Sequence, residues 1–334
     1  MSYLVRELVP ADEPAVLRLL QDSLAGGPTG ERTADFFHWK HRSNPFGASP
    51  GWVAEADGRL VGVRLLLRWG LRLYGHPVRA VRMVDTATAP DWQGKGIFKA
   101  LTTTALEAED IDVVFNTPNS QSLPGYLRMG WQVVGDVPIS LRVRRPVRLA
   151  GAVLRRTTGQ APVNGAVADV PSPLPRAGEV LPEATALLEE AEAAADPRRL
   201  GTARSPDYYS WRFAQAPGLD YRAVPVHRRG ELVGLGLGRV RHRGSTTELT
   251  LGDVVVRPGD RAAAHAVLRQ AARAGTDHVA THLPSGSEAS GMRCGYLRVP
   301  KGGLTLTTNP RSALPVDPVT LSSWRLTLGD LEVF

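Results

Sequence analysis

Gln93-Gly94-Lys95-Gly96 lies between a β-rich run, Val81 to Thr88, and a segment of helical periodicity, Ile97 to Glu109. This order of strand, glycine-rich turn and helix has a chemical use. The first N–H groups of a helix have no intrahelical partners and sit at the positive end of its dipole, so a turn bare of side chains at that point wraps a diphosphate. A phosphorylated ligand is therefore expected at residues 93–98, with Lys95 adding charge beside it. Other chemistries leave weaker marks. The single cysteine, Cys294, excludes an internal disulfide and a cysteine-clustered zinc site, and reads as a small core residue. His38, His41 and the other histidines show no ligand spacing, so no metal is expected.

The elements that position such a turn belong to an ordinary packed protein. The chain has 334 residues and is 43% hydrophobic, enough for two cores. No apolar run approaches the length of a membrane span, and Glu7, Asp12 and Glu13 stand where a signal peptide carries bare positive charge, so a cytoplasmic protein without membrane contact is expected. Net charge is +7, but the basic residues are scattered and lack aromatic interleaving, which argues against nucleic acid. The one dense basic cluster, Arg142 to Arg156, precedes a Pro/Gly/Ala-rich stretch, Ala161 to Val180, that reads as a linker.

The two sides of that linker repeat one another. Phe36-Phe37-His38-Trp39-Lys40 matches Tyr208-Tyr209-Ser210-Trp211-Arg212, and the same shift aligns Pro45 with Pro217 and Gly58-Arg59-Leu60-Val61-Gly62 with Gly230-Glu231-Leu232-Val233-Gly234. The glycines open hairpin turns, and each half begins with a helix-like segment, Ala11 to Leu24 and Pro182 to Ala195. Further on, Asp85 corresponds to Asp253. The glycines that follow in the first half are replaced by Ala262-Ala263-Ala264, and Tyr126 by Gly291. Side chains at the alanine positions block close backbone approach to a phosphate and make a better helix. One working site is expected, in the first half.

These residues resemble the GNAT superfamily of acyl-CoA-dependent N-acyltransferases, whose signature is Gln or Arg, two residues, Gly, one residue, then Gly or Ala. Gln93 and Gly96 fit; Phe98 departs from the last position. Asn119, Tyr126 and Gly130-Trp131 follow where the family places an Asn, a Tyr and a Gly-aromatic pair. The resemblance covers about residues 3 to 140 and, through the degenerate repeat, extends to about 310. It implies an α/β fold of two tandem GNAT-like domains, each a mixed, mostly antiparallel twisted sheet flanked by helices. The expected division is a catalytic domain over 1–145, a basic and Pro/Gly-rich linker over 146–180, and a degenerate domain with a C-terminal tail over 181–334.

The resemblance also assigns roles. The strand ending at Thr88 splays from the next one, and the pantetheine arm adds to its open edge through Thr86 and Thr88, the Thr88 N–H facing the thioester oxygen. Asn119 would bond the pantetheine, while Gln93, Gly94, Lys95, Gly96, Ile97 and Phe98 take the pyrophosphate. Tyr126 would protonate the departing thiolate. A primary amine is almost wholly protonated at neutral pH and must lose a proton before attack. Asp85, an acid in an otherwise apolar strand, would accept that proton or hold the ammonium. Asp253 in the same place of the silent half argues for a shared structural job instead. The apolar tail is expected to dock, which makes Asp330, Glu332 or the Phe334 carboxylate alternative bases.

The function implied is an N-acetyltransferase moving an acetyl group from acetyl-CoA to a primary amine of a small molecule such as an amino sugar or antibiotic. Two rivals are an aminoacyl-tRNA-dependent peptide-bond former, against which Gly94 and Gly96 argue, and a non-catalytic acyl-CoA-binding protein. Acceptor, acyl chain length and oligomeric state have no signal in the chain.

Overall fold

In the computed structural model, residues 2–24, 33–157, 169–284 and 291–331 are described. The first half runs β1 (Leu4–Glu7), α1 (Glu13–Leu24), α2 (Ala34–His41), β2 (Gly51–Ala56), β3 (Arg59–Leu73), β4 (His76–Thr88), α3 (Ile97–Ala108), β5 (Val113–Asn116), α4 (Leu123–Arg128) and β6 (Gln132–Val143). Next come α5 (Pro146–Thr157), α6 (Ala177–Val180), α7 (Thr185–Ala193), β7 (Leu200–Thr202) and α8 (Pro206–Phe213). The second half continues with β8 (Tyr221–Arg228), β9 (Glu231–Arg243), β10 (Thr246–Val256), α9 (Arg261–Ala271), β11 (His278–Thr281), β12 (Leu297–Pro310), β13 (Trp324–Arg325) and α10 (Leu328–Leu331).

Local chemistry sets the repeat. Asp57-Gly58 and Arg229-Gly230 all have positive φ, the backbone of a two-residue turn whose twist suits the strands on either side, and they join β2 to β3 and β8 to β9. Thr33 and Ser205 cap α2 and α8 in the same way, each hydroxyl accepting from an N–H three residues on, Phe36 and Tyr208. The basic stretch after β6 is helical in part: α5 places Arg148, with Arg145 just before it, against the buried carboxylate of Asp277. The span 158–168 of the expected linker lies outside the described residues.

The strands form one mixed sheet, mostly antiparallel, in the order β1-β2-β3-β4-β5-β12-β6-β11-β10-β9-β8. The order shows an exchange. β12 of the second half pairs with β5 of the first, while β6 of the first half pairs with β11 of the second. Two parallel pairs, β4 with β5 and β10 with β11, sit symmetrically about the exchanged strands, and a third, β7 with β13, lies off this path. One hydrophobic cluster packs α1 and α3 on the first half, another packs α9 on the second, and a third joins Phe36 and Trp39 to Tyr208 and Trp211 across the halves. Cys294 is buried in the α9 cluster, and burial raises its thiol pKa. Among the described residues, no helix is long and apolar enough to cross a membrane.

Candidate functional site

β4 and β5 pair only at Ala80–Val113 and Val81–Val114, although β4 continues to Thr88. Beyond Val81 no described strand pairs with the edge of β4 toward β5. Ala89 N–H bonds Val61 on the β3 side, so by strand alternation the Thr88 amide faces the side of β5. A bulge re-aims this stretch: Asp85 and Thr86 lie opposite the single residue Arg64, and Asp85 takes a positive φ of 43°.

The turn after β4 is built as a cradle. Gly94 and Gly96 have φ of 76° and 81°, and Gly96 is the N-cap of α3 without any side-chain cap. Among the described residues, no side chain caps the first N–H groups of α3. Gln93 reaches back toward the Thr88 carbonyl, and the Lys95 ammonium lies 4.2 Å from the centre of the Trp92 ring. Ile97 packs inward against Gly62, where a Cβ would stand 2.5 Å from its Cγ2. Phe98 fits for a similar reason: it lies against Gly125 and meets the Tyr126 ring edge-on at 5.4 Å. Two glycines with positive φ, a helix start with a glycine N-cap and a nearby ammonium are features that suit a diphosphate.

Tyr126 is buried on α4 between Phe98 and Trp131. Its hydroxyl accepts from Nη1 of Arg64 at 2.9 Å. Arg64 is wholly buried and gives its other terminal nitrogen to Thr102 at 2.7 Å. Asn119 uses its side-chain oxygen to receive the N–H groups of Gln121 and Ser122, which shapes the approach to α4. Tyr126, Phe98 and the turn are brought together as one group.

Asp85 points elsewhere, toward α2. Its Oδ2 receives Lys40 Nζ at 2.6 Å and meets His41 Nε2 at 2.8 Å, with His41 Nδ1 2.9 Å from Ser49 Oγ. All three side chains of this ionic group are buried. Sequence reasoning read Lys40 only as part of a repeat and found no role for His41 or Arg64. The missed signal for Arg64 was the one used for Asp85, a charge inside an apolar strand.

The second half has the same frame with different contents. Past Leu251, β10 leaves β11 as β4 leaves β5, and a cleft of about 300 Å³ lies there, lined among others by Glu192, Arg204, Tyr209, Asp253, His282 and Arg325. Asp253 receives the Tyr209 hydroxyl and its neighbour's backbone N–H, so it does not share the partners of Asp85. The start of α9 is closed. Asp260 caps it, one oxygen taking Ala263 N–H at 2.9 Å while both meet Arg228. An incoming phosphate would face this carboxylate.

The tail docks as its composition implies. β13 pairs with β7, and α10 is buried, with Gly329 O taking Arg212 Nε and Leu331 O taking a terminal nitrogen of Arg82 on β4. Asp330 is fully buried and receives Arg204, the Tyr208 hydroxyl and Thr327 N–H; burial opposes its ionisation, but these partners hold its pKa below the ordinary carboxylate value. That carboxylate is a structural anchor and not an open base. Glu332 and Phe334 lie outside the described residues. Among the described residues, no three His, Cys, Asp or Glu side chains are grouped to hold a metal.

Comparisons with known proteins bear on the fold. Residues 4–134 match the family described as "Acetyltransferase (GNAT) domain". No curated protein matches the chain. Among solved structures, a probable N-acyltransferase from Enterococcus faecalis V583 superposes with a TM-score of 0.62 at 12% identity, over 93% of this chain and 73% of that one. A GCN5-related N-acetyltransferase from Anabaena variabilis gives 0.59 at 13% identity, over 92% and 72%. The N-myristoyltransferase of Saccharomyces cerevisiae, solved with myristoyl-CoA, gives 0.56 at 12% identity, over 100% and 86%. These three share the fold across both halves, and the splayed strand with its glycine turn falls inside the matched residues. Residues 4–134 are thus similar to the GNAT acetyltransferase domain, and the chain as a whole shares the fold of these solved structures.

Proposed function

We propose that the protein is an N-acetyltransferase that moves an acetyl group from acetyl-CoA to a primary amine of a small molecule such as an amino sugar, an antibiotic or a related metabolite. The observation that carries this reading is continuous: the edge of β4 ending at Thr88, unpaired toward β5 among the described residues, leads directly into a glycine turn and a helix start whose N-cap is a glycine. Pantetheine adds to that edge by backbone bonding, and Gln93 to Phe98 hold the pyrophosphate with Lys95 beside it. The Nδ2 amide of Asn119 bonds the pantetheine, since its oxygen is engaged in the turn.

The Thr88 N–H stabilises the oxyanion formed on attack. Tyr126 gives its proton to the departing sulfur, and Asp85, within the group it forms with His41 and Lys40, receives the proton shed by the amine. The working unit lies within residues 1–145. The unit over 181–334 supplies β12 and the docked tail, joined through 146–180.

A thiol-release assay tests the reading, with acetyl-CoA against polyamines, amino acids, amino sugars and aminoglycosides, beside Tyr126→Phe. Long-chain donors up to myristoyl-CoA belong in the same panel, because the yeast fold relative holds that ligand. Amine-dependent release with acetyl-CoA, slowed in Tyr126→Phe, is the expected result. Tight acyl-CoA binding without release for any amine would refute it.

A further inference from the structure

We propose that Arg64 is a positioning residue that commits the Tyr126 hydroxyl to giving its proton away. The inference rests on the reading of Tyr126 as proton donor to the leaving sulfur. A guanidinium has only donors and no acceptor. Tyr126 Oη, 2.9 Å from Arg64 Nη1, must therefore accept in that bond, and its single proton has to point elsewhere.

Thr102 shows the same logic completed. Its hydroxyl accepts from Arg64 Nη2 at 2.7 Å and passes its own proton to the Phe98 carbonyl at 2.6 Å. For the Tyr126 proton, no acceptor is present among the described residues. One arginine thus orients two hydroxyls, one closed on the protein and one available to a ligand.

The surroundings hold this arrangement in place. Arg64 is wholly buried, its guanidinium carbon lies 4.7 Å from the Phe98 ring centre and 5.6 Å from that of Tyr126, and no carboxylate pairs with it among the described residues. Its Nε has no hydrogen-bond partner among the described residues. A buried cation without a carboxylate is a poor device for stability, since replacing buried ionic groups with apolar ones is often neutral or stabilising. Arg64 fits a functional task better. Phe98, the departure from the family signature, supplies the π face on which the cation rests.

The step balances as follows. The amine nitrogen forms a bond to the thioester carbonyl carbon, the C–S bond breaks with its electron pair on sulfur, and the Tyr126 proton passes to that sulfur. The phenolate left beside the guanidinium takes the proton shed by the amine nitrogen, through the base or solvent. The products are an amide and a free thiol.

The test compares Arg64→Lys, Arg64→Met and Arg64→Gln in the full chain, each also combined with Tyr126→Phe. It reads kcat, KM for acetyl-CoA and thermal unfolding. Arg64→Gln places an acceptor beside the phenol that competes for its proton, so it should lose the most, on the order of tenfold or more in kcat. Arg64→Met should lose less, and Arg64→Lys, again donor-only, should recover most of the rate. KM should stay within about twofold throughout, and none of the three changes should slow Tyr126→Phe further. Losses that follow unfolding temperature instead of hydrogen-bond polarity, or that recur undiminished in the Tyr126→Phe background, would overturn the role of Arg64 alone. Wild-type turnover by Tyr126→Phe would overturn the reading of Tyr126 and this proposal with it.

Discussion

Trp39 and Trp211 hold one another across the two halves. The indole N–H of Trp39 donates to the Trp211 carbonyl at 2.7 Å, and that of Trp211 donates to the Trp39 carbonyl at 2.8 Å, with the rings stacked 5.1 Å apart. Equivalent residues of the repeat thus make a self-complementary pair, the kind of contact a two-fold relation permits. Either tryptophan changed to alanine should destabilise the whole chain by about 3–5 kcal/mol. Urea unfolding checks this, and the double substitution should cost clearly less than the sum because both singles break one shared contact.

The glycine turn gives a prediction about ligand affinity. Gly96→Val forces a β-branched residue into a φ of 81° at the start of α3, so coenzyme A binding measured by calorimetry should weaken by about tenfold or more. Ala263→Gly should not create a second site, because the Asp260 carboxylate already fills the start of α9. Two bound nucleotides per chain, or one lodged beside Ala262 to Ala264, would contradict the assignment of one working half.

Asp260 also makes a pH-dependent contribution to stability. The hydrogen bond from Arg228, then that from Ala263 N–H, hold its pKa below the ordinary carboxylate value. A group whose pKa is lower folded than unfolded stabilises the fold above the unfolded value, and that stability is lost as pH falls through the folded one. Asp260→Ala should therefore cost about 1 kcal/mol near neutral pH. The gap from wild type should narrow as unfolding is followed downward from about pH 4.

Asp85 can be tested for chemistry apart from structure. Removing its charge in Asp85→Asn breaks a buried ionic group with Lys40 and His41 and should destabilise the fold by roughly 3–5 kcal/mol. Adding Lys40→Met should restore much of that stability. If Asp85 receives the amine proton, turnover stays low in the stable double variant across the pH range assayed. Recovery of kcat together with stability would leave Asp85 a structural role only.

Much of this was legible in particular residues. Asp57-Gly58 and Arg229-Gly230 announce their turns because so few residues adopt positive φ readily, and Gly94 and Gly96 mark the turn before α3 for the same reason. The matched motifs around Trp39 and Trp211 showed the repeat, though not that the two indoles bind each other's carbonyls. Phe98 looked like a flaw in the signature until Gly125 and Arg64 were seen to accommodate it. Asp85 was noticed for being an acid in an apolar strand, but its partners lie more than forty residues earlier.

By itself the sequence determined the duplicated plan, the place of the bare turn and its loss in the second copy, because turn chemistry and periodicity act between neighbours along the chain. Only the tertiary structure decided that β6 and β12 change places between the halves, that Asp260 closes the start of α9 with help from Arg228, and that Arg64 meets Tyr126. Those outcomes depend on which distant groups reach hydrogen-bond distance once water is excluded. A buried donor must then find an acceptor wherever the packing brings one.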